Sequence, residues 1–415
     1  MKQKLIYLSI LLIGLFSSCK NGIEFENAVY ITGTEGSDTR QLVVDGVPSE
    51  VAFSITLADL IDKDIEAEIE IDNSLIDVYN TKNHKNYKAM PEGSFSLSVS
   101  SLTIEAGNLR SDPAKITITD DSGFEEGSSY LIPVKIKKIN GDVRLLEASS
   151  VVYFAVIKTI VTRACNLRGS LFFRADFSRY NDLSLTELTG VTMETRFYCT
   201  ATMTSNPWIS SIMGLEENWL IRMGDARNIP DNAIQVAGGG SAATAPNPIP
   251  LGEWHHVAAV FDNGIVRLYV DGDLVAQSPR PSATIDLTNV YADPCFSIGI
   301  SADATSRRWN GYLSEMRVWK KALSRAEINN NMCYVDPTTP GLVAYWRFDG
   351  SSTHDDVEIK FGNNAGIYPR EVILDHTGNG YNAAPFTSTN ATNPPAPITT
   401  LFTTANYWVD GVKCP

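Results

Sequence analysis

The sequence predicts an all-β protein made of two consecutive β-sandwiches. Short segments in both halves alternate apolar and polar residues, which is the period of a strand buried on one face. Asn-Gly and Asp-Gly dipeptides and other clusters rich in Gly, Pro and Asp separate these segments at short intervals. At 415 residues, the chain is long enough for more than one hydrophobic core.

Composition and charge narrow the range of partners. The chain is 43% hydrophobic and 20% charged, as is usual for a globular protein. Its net charge of −14 argues against nucleic acid and against anionic membrane surfaces as direct partners, because both would be repelled. Neutral glycans remain compatible with this charge.

Residues 1–19 predict a targeting segment that lies outside the folded protein. Lys2 and Lys4 precede the apolar run Leu5–Phe16, which is too short to span a bilayer, and small residues lead to Cys19. The pattern resembles a bacterial lipoprotein signal with Cys19 as the lipid-modified N-terminus, and the alternative is an ordinary secretory signal. The resemblance implies outer-membrane localisation, at the cell surface, with contact to the membrane through the lipid alone.

Five cysteines remain after Cys19, and an odd number leaves at least one of them without a disulfide partner. Cys165 and Cys414 bracket the second predicted sandwich, and the first and last strands of a sandwich often lie side by side. We therefore predict a Cys165–Cys414 bridge. No Cys or His spacing indicates a zinc site.

Residues 20–158 predict the first sandwich, of roughly immunoglobulin-like size. Its alternating segments are Val51–Leu57, Ile65–Ile71, Phe95–Val99, Lys115–Thr119, Ile132–Ile136 and Val151–Ile157. No helical periodicity competes with the strand pattern in this half of the chain.

Three phrases in this half also resemble a known family. Leu75–Asn80, Met90–Gly93 and Tyr130–Ile136 are similar to the N-terminal domain, of uncharacterised function, of surface lipoproteins from Bacteroides-type glycan-degrading gut anaerobes. The resemblance implies a stalk that holds the next domain away from the membrane. It also implies association with other surface glycan-uptake proteins.

Residues 159–167 are predicted to be a short linker, and residues 168–415 the second sandwich. Within the second sandwich, Asn263-Gly264 and Asp271-Gly272 divide residues 252–277 into three short strands. Both dipeptides favour the positive φ angles of tight hairpin turns. The stretch therefore predicts a three-stranded antiparallel meander.

The meander and later phrases resemble the laminin-G-like domains of the concanavalin A-like lectin/glucanase superfamily. The matching stretches are Trp254–Ala258, Tyr269–Gly272, Gly311–Trp319, Gly341–Phe348 and Leu374–Ala383. The resemblance covers about residues 168–415 and implies a jelly-roll sandwich with a rim that varies between members.

One helix is predicted, immediately after the Gly311–Trp319 strand. Ser324 is its expected N-cap, Glu327 completes a capping box, and Leu323 with Ile328 can close a hydrophobic staple. In contrast, residues 225–250 contain the three consecutive glycines 238–240 and the prolines Pro246, Pro248 and Pro250, so we predict a long functional loop there.

The carboxylates argue against catalysis. Glucanases of this superfamily carry E-x-D-x-x-E on one strand, which places an acid and a nucleophile on the same face. This chain lacks that spacing, Glu194 stands alone on its strand, and the acidic pairs Glu216-Glu217 and Asp355-Asp356 are predicted to be solvated surface charges. His255 and His256 alternate on a strand without a metal-binding motif, so one of them is expected to face the core.

Laminin-G-like domains frequently bind calcium at a sheet rim, so the resemblance implies a possible calcium cofactor. Asp349, Asp375 and Asn379 are the predicted ligands, since each offers a side-chain oxygen in or beside a turn. Turn formation alone also accounts for these residue types.

Glycan recognition on such sandwiches relies on aromatic faces that stack on sugar rings, helped by polar side chains. Trp254, Trp319 and Trp346 occupy family positions that fill the core. The predicted glycan-binding residues, which look exposed in the sequence, are Trp208, Trp219, Arg222 and Trp309. A partly buried anchor of the loop is the alternative for each of them.

Together these observations predict a lipid-anchored, carbohydrate-binding protein without a catalytic site. The expected ligand is a polysaccharide or the glycan of a glycoprotein. One alternative is an adhesin that binds a protein through loop 225–250, and another is a glycoside hydrolase of the same superfamily.

Overall fold

A computed structural model describes residues 27–83, 85–288, 295–301, 307–359, 366–387, 396–397, 401–403 and 405–414. The predicted lipidation site Cys19 and the rest of the predicted signal lie outside these ranges. The chain divides into two compact units, one of residues up to Phe124 together with Ser128–Ile157, the other of Glu125–Gly127 and residues from Lys158 onwards. No helix in the described ranges is long and apolar enough to cross a membrane.

The first unit is built from short strands and one helix. Its described strands are Ala28–Ile31 (β1), Thr39–Val44 (β2), Ser49–Phe53 (β3), Ile55–Leu57 (β4), Ile65–Ile71 (β5), Lys88–Ala89 (β6), Phe95–Leu97 (β7), Ser101–Ile104 (β8), Ala114–Ile118 (β9), Ser129–Asn140 (β10), Arg144–Leu145 (β11) and Val151–Lys158 (β12). They form sheets in the orders β11-β1-β4, β2-β12-β10-β5-β8 and β3-β9-β7, and β6 pairs with β10. The predicted strands of this unit are confirmed, and their inward residues form one core that includes Ile55, Ile132 and Phe154.

The expectation that this half contains no helix is wrong. Leu75–Asn83 forms helix α1, which buries Ile76 and Tyr79 against Leu131 and Ala155. The helix lacks a clear apolar stripe and covers only a few residues, so its period does not stand out against the surrounding strand pattern.

The second unit contains most of the regular structure. Its described strands are Ile160–Asn166 (β13), Leu171–Ala175 (β14), Gly190–Cys199 (β15), Ser210–Leu215 (β16), Trp219–Met223 (β17), Ile234–Gly238 (β18), Ser241–Thr244 (β19), Trp254–Asp262 (β20), Ile265–Val270 (β21), Asp273–Pro279 (β22), Phe296–Ile298 (β23), Gly311–Trp319 (β24), Leu342–Trp346 (β25), Ser352–Ile359 (β26), Gly366–Ile373 (β27), Ala384–Thr387 (β28), Ala396–Pro397 (β29) and Trp408–Cys414 (β30). Helix α2 spans Arg325–Asn331.

Two large sheets enclose the core of this unit. One has the order β22-β21-β20-β15-β24-β13-β30, with β25 also paired to β24, and the other has the order β19-β18-β17-β16-β23-β14-β28-β29. Side chains from both sheets form the core, among them Phe173, Phe197 and Ile298. The predicted meander is confirmed as β20-β21-β22, and its turn residues Asn263 and Asp271 have φ angles of 46° and 49°.

Two predictions about the borders of elements are wrong. Ile160–Asn166, predicted as linker, is strand β13, which pairs with both β24 and the C-terminal strand β30. Residues 225–250, predicted as a long loop, contain the hairpin β18-β19, in which Gly238 pairs with Ser241. Gly239 and Gly240 have φ angles of 60° and 76°, so the glycines form a tight turn.

The predicted Cys165–Cys414 bridge is also wrong, although its premise is correct. Strands β13 and β30 lie side by side, but Cys165 is opposite Trp408 while Cys414 is opposite Ile160. The two cysteines therefore sit at opposite ends of the strand pair, too far apart for a disulfide. Cys414 is instead bonded to Cys333.

Candidate functional site

A surface cleft of about 460 Å³ lies in the second unit and is the candidate functional site. Four parts of the chain form its walls: the segment after β14, the residue directly after β24, the segment from α2 into the start of β25, and the turn after β27. The lining residues are Tyr180, Asp182, Leu185, Lys320, Pro337, Thr338, Thr339, Pro340, Gly341, Leu342, Val343, Thr377, Asn379 and Tyr381. Hydroxyl, amide and backbone groups make up much of this lining, so the cleft suits a ligand with many hydroxyl groups.

An exposed tyrosine ring stands at the cleft. Tyr180 is 50% exposed, and its hydroxyl donates to the Gly380 carbonyl oxygen at 3.3 Å. The ring packs edge-on against Tyr381, with the centroids 5.5 Å apart, while the Arg179 guanidinium carbon lies 5.2 Å from the Tyr180 centroid. These contacts hold the ring in place and leave half of it available to a ligand.

Arg179, which lies beside the Tyr180 ring, is held by Asp355. The sequence predicted Asp355 to be a surface charge. Arg179 donates from both Nη atoms to the Asp355 carboxylate, at 2.6 Å and 2.8 Å, and Asn382 donates to the same carboxylate at 2.8 Å. Hydrogen bonding from Arg179 lowers the pKa of Asp355. The prediction of a solvated charge is therefore wrong for Asp355, and also for Glu216, which is buried and ion-paired with Arg307.

The charged residues that line the cleft are one acid and one base. The Asp182 carboxylate accepts a hydrogen bond from the Ser184 backbone N–H at 2.8 Å, and Lys320 Nζ donates to Ser184 Oγ at 3.0 Å. The pKa of Asp182 is lowered, mainly by its hydrogen bonds with Ser184 and to a lesser extent by the charge of Lys320. The lining is therefore close to electrically neutral.

Asp375 and Asn379 organise the wall of this cleft. The Asp375 carboxylate is buried and accepts from the backbone N–H groups of Tyr345, Thr377 and Tyr381 at 3.0–3.1 Å, and from the Thr377 hydroxyl at 2.8 Å. Asn379 Nδ2 donates to the Val343 carbonyl oxygen at 2.9 Å. Both side chains thus tie the turn after β27 to strand β25.

The three predicted calcium ligands do not form a prepared cation site. The oxygens of Asp375 are already occupied by these donors. Asp349 accepts from the Ser351 N–H at 2.9 Å and lies 3.8 Å from His376 Nε2. Burial raises the pKa of Asp349, but the bonds with His376 and Ser351 outweigh it and hold the pKa far below its usual range. The described residues contain no group of three or more His, Cys, Asp or Glu placed to hold a metal. Calcium binding stays a prediction, without support from these three residues.

Two of the predicted glycan-binding residues are in the core. Trp219 is 1% exposed and packs edge-on against Phe261, with the ring centroids 6.2 Å apart. Trp309 is fully buried and lies edge-on to Phe197 at 5.7 Å. Neither ring is available to a sugar, so the expectation that they are exposed is wrong. Asn218, Arg307 and Arg308 flank them in sequence and made both positions look like surface.

The other two predicted residues lie near each other on accessible parts of the domain. Trp208 is half-buried, and the exposed Arg227 places its guanidinium carbon 4.1 Å from the Trp208 ring centroid. Arg222 pairs with Asp225 at 2.8 Å and donates through Nε to Gln235 Oε1 at 2.9 Å. Arg222 thus supports the segment that carries Arg227.

A buried charge network lies on the face of the meander sheet that points away from the main core. The sequence indicated only a lone acid there. Glu194 is fully buried and accepts from Arg317 Nη1 at 3.0 Å and from Trp319 Nε1 at 2.9 Å, while His256 Nε2 lies 3.2 Å from its second oxygen. Arg317 also bonds Glu315 at 3.2 Å. His256 is buried, with 3% exposure, but it lies on the face opposite the main core, which holds its neighbours Val257 and Ala259. The alternation of Glu194 with apolar residues gave no signal of this pairing.

Comparison with known families agrees with the fold. Residues 175–329 match the family model of the concanavalin A-like lectin/glucanase superfamily (Laminin_G_3), and residues 25–143 match the model of an N-terminal domain family. The matched part of the second unit is therefore similar to the concanavalin A-like superfamily. Both resemblances seen in the sequence are confirmed. No curated protein matches the chain.

Three solved structures are similar to parts of this chain at low sequence identity. A protein from Bacteroides ovatus, described as a candidate carbohydrate-binding protein, is 24% identical with a TM-score of 0.51, over 84% of this chain and 98% of that chain. EndoBT-3987 from Bacteroides thetaiotamicron, solved with a Man5GlcNAc product, is 19% identical with a TM-score of 0.27, over 31% of this chain and 30% of that chain. A pentraxin from Limulus polyphemus is 15% identical with a TM-score of 0.33, over 52% of this chain and 96% of that chain.

Proposed function

We propose that the protein binds a carbohydrate in the cleft beside Tyr180 and has no catalytic site. The observation that carries the proposal is the half-exposed Tyr180 ring at a polar, nearly neutral cleft. A sugar can stack its C–H face on this ring while its hydroxyl groups bond to the threonine, asparagine and backbone groups around it. The superfamily of the second unit and the description of the Bacteroides ovatus protein support this class of ligand.

The arrangement of acids supports binding without hydrolysis. Glycosidases need two carboxyl groups across the scissile bond, one as acid and the other as base or nucleophile. Asp182 is the single acid among the residues that line the cleft, and it already accepts from Ser184 and faces Lys320. A glycoside hydrolase remains the third candidate, and turnover of a polysaccharide by the purified protein would revive it.

The first test is binding of the full chain to a panel of host and plant polysaccharides, with and without calcium. Tyr180→Ala is expected to weaken binding about fivefold or more, since an aromatic contact contributes roughly 1 kcal/mol beyond its buried area. Tyr180→Phe keeps the ring and serves as the matched control, with expected binding within about twofold of the wild type.

Trp208→Ala discriminates between the cleft and the site predicted from the sequence. Binding of a neutral polysaccharide that is lost in Trp208→Ala and retained in Tyr180→Ala would overturn the cleft. Silence across the panel would favour an adhesin that binds a protein. Loop 225–250, the surface first predicted for that alternative, contains the hairpin β18-β19.

We also propose that the protein is lipid-anchored through Cys19 in the outer membrane, exposed at the cell surface, where it can associate with other glycan-uptake proteins. The basic, apolar and small-residue order of residues 1–19 supports this proposal. Incorporation of labelled palmitate in the wild type and its loss in Cys19→Ser is the expected result. Equal labelling of both proteins would contradict it.

A further inference from the structure

The pair Arg227 and Trp208 forms a second surface feature of the same domain, separate from the cleft. Arg227 is exposed, and its guanidinium carbon is 4.1 Å from the centre of the half-buried Trp208 ring. Stacking fixes the plane of a guanidinium group and leaves its N–H groups pointing outward along their own edges. A preorganised guanidinium of this kind can bind two oxygens of one anion at once.

The backbone of both residues of this pair, and of Ala226 beside Arg227, is in an uncommon conformation. Trp208, Ala226 and Arg227 have φ angles of 54°, 48° and 67°, in the left-handed region that costs a non-glycine residue roughly 1–2 kcal/mol. The two segments hold each other, since the Ala226 N–H donates to the Pro207 carbonyl oxygen at 3.0 Å. Gly224 completes the contact, because a Cβ there would overlap the Trp208 carbonyl oxygen. The fold thus holds the arginine and the indole together despite local strain.

The charges nearby leave Arg227 available for a ligand. Asp225 is the closest acid in sequence, but its carboxylate is ion-paired with Arg222, with Nη2 2.8 Å from Oδ1. Arg307 is paired with Glu216. Among the residues that the structure describes, no carboxylate lies within ion-pairing distance of Arg227, so its charge is not offset by a neighbouring acid.

This pair lies far from the cleft. Strands β14 and β16 both run antiparallel to β23, so they are parallel to each other. Tyr180 follows the end of β14, whereas Trp208 precedes the start of β16. The two residues therefore stand at opposite ends of the same sheet, and each can be tested without disturbing the other.

We propose that Arg227 and Trp208 form an anion-binding subsite that recognises the carboxylate or sulfate of an acidic sugar. The Arg227 guanidinium binds the anionic oxygens, while the part of the Trp208 indole that the guanidinium leaves exposed can contact the C–H groups of the same sugar. A sugar is favoured as the source of the anion because of this adjoining aromatic surface, and in this respect the inference rests on the proposed function.

The test compares binding of the full chain to polygalacturonate, dextran sulfate and uncharged dextran. The wild type is expected to bind at least one of the two anionic polymers more tightly than dextran, and which of them it prefers separates carboxylate from sulfate. Arg227→Gln is expected to weaken this binding about tenfold or more, since hydrogen bonds to charged groups are about twice as strong as neutral ones. Arg227→Lys keeps the charge but loses the planar double contact. Its affinity for the anionic polymer is therefore expected to lie between those of the wild type and Arg227→Gln.

The matched control is Arg325→Gln. Arg325 is an exposed arginine of the same domain that pairs with Asp273, so the variant changes the net charge equally without touching the subsite. It should bind the anionic polymers within about twofold of the wild type, and the melting temperatures of all variants exclude loss of fold.

Three results would overturn the subsite: equal binding of all three polymers, equal weakening in Arg325→Gln and Arg227→Gln, or poly-glutamate binding as tight as that of the anionic polysaccharides. The cleft has its own test, because Tyr180→Ala changes binding of neutral sugars. Loss in Tyr180→Ala with no effect of Arg227→Gln would refute the subsite and leave the proposed function standing.

Discussion

The pKa of the buried Glu194 is set by the side chains around its carboxylate. Burial by itself raises its pKa, but the charge of Arg317 and the contacts with His256 and Trp319 outweigh burial and bring the pKa from 4.5 down to about 2. The geometry explains this direction, because the guanidinium at 3.0 Å and the indole N–H at 2.9 Å both favour the ionised carboxylate.

Replacement of this acid is expected to destabilise the second unit strongly. In Glu194→Gln the charge of Arg317 loses its closest counterion inside the protein, and breaking a buried pair in this way costs roughly 3–5 kcal/mol. Denaturant unfolding measures the change. Lys321→Gln, which removes a charge from an exposed pair with Glu327, is the control and should cost about 1 kcal/mol or less.

The same acid predicts a loss of stability at low pH. Its pKa is lower in the folded chain than in the unfolded chain, so protonation favours unfolding, and the stabilisation from Glu194 is present above pH 4.5. It should disappear progressively as the pH falls from 4.5 to about 2. The fall in free energy of unfolding over this range is therefore expected to be smaller in Glu194→Gln than in the wild type. An equal change of the free energy of unfolding with pH in both proteins would show that other acids cause the loss of stability.

At the residue level, the sequence carried information on residue type and little on burial. Trp208 and Trp219 both stand near turns and looked alike, yet Trp219 lies inside the sheet packing while Trp208 is only partly buried. Tyr180 was not predicted at all, because its position at the cleft depends on Tyr381 and Gly380, about two hundred residues away. Long-range contacts of this kind leave no local pattern in a single sequence.

Among the elements, helix α2 was the most predictable because its start is encoded locally. The Glu327 N–H donates to Ser324 Oγ at 3.2 Å, and the Ser324 N–H donates to Glu327 Oε2 at 2.8 Å, which forms the predicted capping box. Leu323 and Ile328 meet in one buried cluster, as the staple requires. The hairpin β18-β19 was missed for the opposite reason, since its glycines also fit an irregular loop.

Removal of the Ser324 cap should measurably lower the stability of the second unit. Ser324→Ala is expected to lower the free energy of unfolding by about 1 kcal/mol, because one backbone N–H of the first turn loses its acceptor. Ser324→Asp keeps an acceptor at the same place and is the matched control, expected to stay within about 0.5 kcal/mol of the wild type. Equal loss in both variants would mean that the hydroxyl acts through some other contact.

Strand β30 is held by a covalent link as well as by its pairing with β13. The Cys333–Cys414 bridge closes a separation of 81 residues, for which the chain-entropy model gives about 4.5 kcal/mol of stabilisation. Peptide mapping without reduction is expected to find Cys414 joined to Cys333. The Cys333→Ser/Cys414→Ser variant should melt at a lower temperature than the wild type and no longer respond to reductant. A peptide joining Cys414 to Cys165 would contradict the structure.

At the scale of the whole molecule, each unit has a core made from its own residues. The main core of the second unit draws on residues from Cys165 to Leu401, and that of the first unit draws on residues from Val29 to Val156. The division into two sandwiches was predictable because strand alternation and turn spacing repeat throughout the chain. The exact border was not, because β13 follows β12 after a single residue and no change in composition marks it.

Separate cores predict that the second unit folds and binds alone. The fragment 158–415 contains every residue that lines the cleft and both members of the Arg227 and Trp208 pair. It is expected to unfold cooperatively and to bind the same polysaccharides as the full chain within about threefold, a difference of roughly 0.7 kcal/mol. Calorimetry tests folding, and titration with the best polysaccharide of the panel tests binding. A folded fragment that has lost binding would assign part of the recognition to residues before Lys158, and would replace the stalk expected from the sequence with a second binding domain.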